Sequence, residues 1–129
     1  MSSHKTADAA TAEGGLPRNF LRPCLLLLLR EGVGYGYDLH ERLREFGVRR
    51  SDPGFLYRTL RSLEHEGLIT SWWELSEVGP PRRTYELSAE GEDWLHGCAD
   101  TLRHGQQLLT RFADRYAGLA QPNTSGPRP

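Results

Sequence analysis

The stretch SDPGFLYRTLRSLEHEGLIT, residues 51–70, decides the fold. It opens with a helix-start signal: Ser51-Asp52 as cap and Pro53 in the first turn, where its missing N–H has no helical partner to lose. Leu56, Leu60 and Leu63 follow at helical spacing and make one apolar stripe. Tyr57, Arg58 and Arg61 fall on or near the opposite face, and Gly67 ends the helix. Beyond it, residues 69–75 and 83–87 read as two short strands joined through a Gly-Pro-Pro-Arg-Arg tip at 79–83. In the first strand Ile69, Trp72 or Trp73, and Leu75 leave the phase open; in the second, Tyr85 and Leu87 alternate. Such a helix hides leucines and presents arginines and a tyrosine, and a basic-tipped hairpin follows it. A winged helix sets those parts against DNA, the helix in the major groove and the wing on the neighbouring backbone.

Working outward, residues 19–30 read as a first helix, with Pro23 tolerated only in its opening turn. Residues 31–34 are a break. A second helix over 35–46 puts Leu39, Leu43 and Phe46 at core spacing and Arg42 and Arg44 outward, and Gly47 closes it. Downstream, Ser88 caps a last helix over 88–118 whose acid-rich first turn complements the helix dipole. The expected fold class is mainly α with a small β-hairpin wing: a winged helix-turn-helix plus a C-terminal helix.

A chain of 129 residues has room for one domain and a short appendage, and can bury a core without metal or disulfide staples. The five leucines at 25–29 lie between Arg22 and Arg30 and are far too short a run to span a bilayer. The first seventeen residues lack the order of a secretion signal, so the expected location is cytoplasmic. Cys24 and Cys98 in apolar helical contexts fit buried thiols better than a disulfide framework. The net charge of −1 is not that of a bulk polyanion binder. Lys5 is the sole lysine; the other cations are arginines, suited to forked recognition of phosphates and guanine edges. They come in local groups, Arg42 with Arg44, Arg49 with Arg50, Arg58 with Arg61, and Arg82 with Arg83. Any DNA binding therefore depends on a patch and should weaken steeply with salt.

The candidate contacts each have a plainer alternative. Tyr57 is a phosphate contact through its hydroxyl or a half-buried packing residue. Arg58 and Arg61 meet DNA or stay solvated, with Glu64 within reach of Arg61 at i+3. Arg82 and Arg83, at a proline-stiffened tip, have no apolar role and suit phosphate or the minor groove. Tyr37 either holds a phosphate together with the free N–H groups of the second helix start or sits at the core edge. His96, Asp100 and His104 share a helix face but cannot all reach one ion, so a polar surface is expected and no metal. No nucleophile elbow, phosphate loop or HExxH motif supports an enzyme, and no cofactor is expected.

The last helix carries a second signal. Leu95, Cys98, Leu102, Gly105, Leu109, Phe112 and Tyr116 alternate spacings of three and four, an a/d seam over about three heptads. The stripe either folds back onto the first helix or joins two copies of the chain; its length in so small a domain favours the homodimer. Trp72, Trp73 and Trp94 are a heavy aromatic load, of which one or two should be core. Trp94, just before the seam, is a packing anchor or a stacking surface for a planar ligand between protomers.

At these residues the chain resembles the PadR family of winged-helix transcriptional regulators. The matching pieces are CLLLLLREG, GYDL at 36–39, PGFLYRTLRSLEHEGLI at 53–69 and GPPRRTYELSAEG at 79–91, spanning residues 21–95 in family order. The resemblance implies a DNA-binding repressor that dimerises through its C-terminal helix. A single short C-terminal helix resembles the smaller subgroup, some of whose members bind drug-like aromatic molecules at the dimer interface. Phe55 stands where the family commonly has Thr or Ser, Arg58 where it often has Pro, and Tyr35 where it often has His. Phe55 has no hydroxyl to offer a phosphate but can pack on a thymine methyl.

The expected organisation is a flexible arm at 1–17, a winged-helix DNA-binding domain at 18–87, a dimerisation helix at 88–118 and a disordered tail at 119–129. The expected function is a homodimeric regulator, a repressor, on a double-stranded operator, with an aromatic effector implied by the resemblance and no membrane association. The rival from another class is a winged helix serving protein–protein interaction with little DNA affinity.

Overall fold

The computed structural model describes residues 17–48 and 53–119. In order these form α1 (Leu21–Glu31), β1 (Gly34–Tyr35), α2 (Gly36–Phe46), α3 (Pro53–His65), β2 (Ile69–Glu74), β3 (Arg82–Leu87) and α4 (Ala89–Leu119). The Ser51-Asp52 cap, the Arg49-Arg50 pair, the arm up to residue 16 and the tail from residue 120 lie outside the described residues. The chain divides into two units, residues 1–96 and 97–129.

In the first unit the leucine stripes close on one another. Leu25 and Leu26 of α1, Leu39 and Leu43 of α2, and Leu56, Leu60 and Leu63 of α3 are fully buried, with Ile69 and Tyr85 of the sheet beside them. Each such side chain stabilises the fold by about 1.5–3 kcal/mol relative to exposure. Pro23 is the third residue of α1, where the backbone N–H has no intrahelical acceptor, so the ring is accepted there. At the start of α4 the Ser88 hydroxyl accepts from the Gly91 N–H (2.9 Å) and donates to the Gly67 carbonyl (2.7 Å), tying the last helix to the turn that follows α3.

The wing differs from a two-stranded hairpin. Gly34 and Tyr35, expected in the break and the start of α2, form a third strand, and the sheet order is β1-β3-β2. Gly34 pairs with Tyr85 and Tyr35 with Thr84, while Ile69 to Glu74 pair with Leu87 to Arg82. Arg82 and Arg83 therefore open β3 opposite Glu74 and Trp73, and do not form the tip, which is residues 75–81. The expected Tyr85/Leu87 alternation is broken because Thr84 and Tyr85 are both buried. Thr84 lies between its cross-strand neighbours Tyr35 and Trp72, and its hydroxyl donates to Glu74 (2.9 Å).

Other expectations fail for local reasons. Phe46 is exposed, because α2 ends at Gly47 and its last turn overhangs the core. Arg42 does not point outward: its guanidinium donates to the Leu28 carbonyl (2.7 Å) near the end of α1. None of Trp72, Trp73 and Trp94 is core, and Leu75 is almost fully exposed beyond the end of β2. Leu95, placed on the seam by its spacing, is buried in the core of its own first unit.

The second unit, where described, is the continuation of α4. Cys98, Leu102 and Gly105 are half-buried, whereas Leu109, Phe112 and Tyr116 are exposed. Leu119 belongs to the helix and not to a tail. Cys24 and Cys98 are not disulfide-linked. Among the described residues no helix is long and apolar enough to cross a membrane.

Candidate nucleic-acid interface

With Leu56, Thr59, Leu60 and Leu63 turned into the core, helical geometry turns Gly54, Arg58, Arg61 and His65 outward along a single line. All four are exposed. On the β-sheet flank of α3 lie Tyr57 and Glu64; on the α1 flank lie Phe55 and Ser62.

Among the described residues, Glu64 and Glu66 near this face are engaged elsewhere. Glu66 takes a forked pair of bonds from Arg22 (2.6 and 3.2 Å) and a third from Ser62 (3.1 Å). The Arg22 hydrogen bond holds the Glu66 carboxyl below its ordinary range. Glu64 accepts from the Ser71 hydroxyl (2.7 Å) and pairs with Arg83 (3.8 Å), not with Arg61. Among the described residues, neither Arg58 nor Arg61 makes an ion pair. In a chain with a net charge of −1, two guanidinium groups thus lie along one helix face without an acidic partner among the described residues.

Tyr57 packs, and it is not wholly buried by doing so. Its ring lies against Gly36 at the start of α2, yet the side chain stays partly exposed. Tyr37, in the first turn of α2, is 70% exposed and so is not a core-edge residue; Asp38 shares that turn. In the wing, Arg82 stacks on the Tyr35 ring (4.1 Å) and Arg83 on Trp73 (5.2 Å). Burial pushes the Tyr85 phenol up, against the opposing pull of Arg83. These contacts hold the wing arginines at the loop end of the hairpin, where Arg83 also ties β3 to α3 through Glu64.

The structure therefore brings Tyr37, Tyr57, Arg58 and Arg61 to the two helices of a helix-turn-helix, and Arg82 and Arg83 to its wing. Spacing alone did not point to Arg22 or His65. The family resemblance marked Phe55 as a departure able to meet a thymine methyl, the helical wheel of α3 could have signalled His65, and nothing local signals Arg22. Trp94 is partly exposed and carries the Arg22 guanidinium over its ring (5.4 Å). His96 pairs with Glu92 (3.5 Å) and Asp100 with Arg103 (2.6 Å), so that polar face is laced by neighbours within the helix.

Three helices, a three-stranded wing and an outward arginine line define a winged helix-turn-helix. The profile described as "Transcriptional regulator PadR-like family" matches residues 25–97, well over half of the chain. The chain belongs to the PadR-like family of transcriptional regulators. Among solved structures it is similar in fold to a PadR family transcription regulator from Clostridium difficile (24% identity, TM-score 0.68, 74% of this chain and 99% of that one). It is also similar to a Streptococcus transcriptional regulator (28%, TM-score 0.65, 72% and 91%). A third likeness is to Bacillus subtilis PadR in complex with operator DNA (28%, TM-score 0.57, 61% and 47%). Curated proteins give no match.

Proposed function

We propose that this regulator binds operator DNA as a homodimer, laying α3 of each protomer in the major groove of one half-site. The observation that carries this reading is the exposed Gly54–Arg58–Arg61–His65 line, backed by leucines with no exposed surface and carrying arginines without an acidic partner among the described residues. Arg58 and Arg61 supply guanine contacts, and Tyr37 and Tyr57 phosphate contacts that set the register. Arg82 and Arg83 approach the flanking backbone with the wing. The PadR–operator complex of B. subtilis supports DNA as the partner.

The exposed stripe of Leu109, Phe112 and Tyr116 supplies the dimer seam, with Cys98 and Leu102 at its start. Pairing two copies spaces the reading helices by about one DNA turn, ~34 Å, and suits a pseudo-palindromic operator. Occupying a promoter in this way makes the protein a repressor in the cytoplasm. The proposed domain limits are a winged helix at 18–87 and a dimerisation helix from 88 through Leu119. Trp94 offers its ring to a planar aromatic effector that displaces Arg22.

Mapping the bound positions of the full chain across its host genome tests this reading. Discrete sites sharing a two-fold motif, some upstream of genes whose transcripts rise when the protein is removed, are the expected result. The absence of discrete sites would leave the protein-interaction module as the better reading.

A further inference from the structure

Phe55 and Arg58 stand three residues apart in the opening turns of α3, with the Arg58 guanidinium carbon 6.0 Å from the centre of the Phe55 ring. A large apolar ring is left 41% exposed there, beside the outward arginine line. Thr59, one turn on, is buried in the core, and its hydroxyl donates to the Phe55 carbonyl (2.9 Å) within the helix. In the major groove the apolar feature that distinguishes a base pair is the thymine methyl group, and the best match for a guanidinium fork is the guanine edge. The Phe55 ring, at the outer edge of cation–π range, favours this placement of the guanidinium, so less freedom is lost when it meets a base. Successive base pairs are about 3.4 Å apart along the duplex, so contacts held 6.0 Å apart fall within two base-pair steps.

We propose that Phe55 and Arg58 read DNA as one unit, which demands a thymine within two base pairs of a guanine in each operator half-site. This rests on α3 being the DNA-facing helix. It adds a base identity that charge alone does not specify, and makes Phe55 a specificity-determining residue.

The test uses the full chain and a random duplex library, with selection repeated for Phe55→Ala. The selected wild-type duplex is then remade with uracil for the thymine in question, which removes only the methyl group. Wild-type protein should enrich thymine within two base pairs of guanine. The uracil duplex should bind it about four-fold more weakly, the worth of one buried methyl-sized group. Phe55→Ala, whose exposed ring leaves the core intact, should keep the guanine, lose the thymine preference and bind both duplexes equally. Arg58→Lys should lose the guanine preference, because an ammonium lacks the fork. An enriched motif without that thymine, or indifference of the wild-type protein to uracil, overturns the pairing of Phe55 with Arg58 while α3 remains a DNA reader. If no duplex is enriched, the DNA reading itself falls, and this inference with it.

Discussion

Gly36 and Tyr57 occupy one another's space. A Cβ on Gly36 would lie 2.6 Å from Tyr57 Cε1 and 2.8 Å from its hydroxyl oxygen, so a side chain at residue 36 would push the Tyr57 ring of α3 aside. The same contact fixes the ring that we assign to a phosphate. Gly36→Ala should therefore destabilise the domain by about 1–3 kcal/mol, as overpacking does. Tyr57→Ala should remove most of that penalty, with a coupling of about 0.5–3 kcal/mol in a double-mutant cycle followed by urea unfolding. Additive effects of the two substitutions would show that the ring does not rest there.

Gly91 and Gly97 lie six residues apart on α4 and should respond oppositely to alanine. A Cβ at Gly91 would collide with the Leu68 carbonyl oxygen, the atom that accepts the Ser88 N–H (3.1 Å), and would meet Leu87 Cδ1 at 2.8 Å. Backbone cannot swing aside, so Gly91→Ala should cost about 3 kcal/mol or more. At Gly97 an added Cβ meets nothing within 4 Å. Gly97→Ala should stabilise the helix by about 1 kcal/mol. Melting temperatures of the two variants check both signs.

Arg22 and Glu66 make stability sensitive to acid. The Glu66 carboxyl is depressed by the Arg22 hydrogen bond, so its contribution is present above the ordinary carboxylate range, about 4.3, and lost as pH falls through its folded value. The pair is partly exposed, and its effect is modest. Wild-type protein should lose stability between pH 5 and 3 more steeply than Glu66→Gln. Parallel acid titrations of the two would remove this pair from the explanation.

The apolar stripe of α4 splits into two kinds of residue. Leu95 is 8% exposed within its own core, whereas Phe112 is 70% exposed. Leu95→Asp should unfold the domain by burying an unpaired charge. Phe112→Asp should leave the fold intact and convert a dimer to a monomer, and Leu102→Asp should do so as well. Sedimentation at micromolar concentration distinguishes these outcomes; a Phe112→Asp protein that stays dimeric would move the dimer contact elsewhere.

Much of this architecture is legible in the chain, and the exceptions share a physical cause. Leu56, Leu60 and Leu63 repeat with the helical period, so α3 and its outward face follow from spacing. Gly34-Tyr35 is too short to show any period, and only β3, some fifty residues away, makes it a strand. Arg42 reads as solvated because no local signal reveals the Leu28 carbonyl that it caps. Arg82 looks like a tip residue until the register pairs it with Glu74. Trp72 and Trp73 read as partly core because hydrophobicity does not say that β2 is an edge strand. Candidate DNA contacts were visible by residue type, Phe55 included, but its pairing with Arg58 became visible only when the structure set that guanidinium near its ring.

The most direct measurement is the affinity of the full chain for a duplex from its own upstream region and for a scrambled duplex, from 50 to 200 mM salt. A regulator that reads bases through Arg58 and Arg61 should prefer the first duplex by about 10³-fold or more. The logarithm of its affinity should fall linearly with the logarithm of salt concentration. Arg58→Ala with Arg61→Ala should erase the preference. Equal affinity for the two duplexes, or binding indifferent to salt, would contradict a base-reading α3.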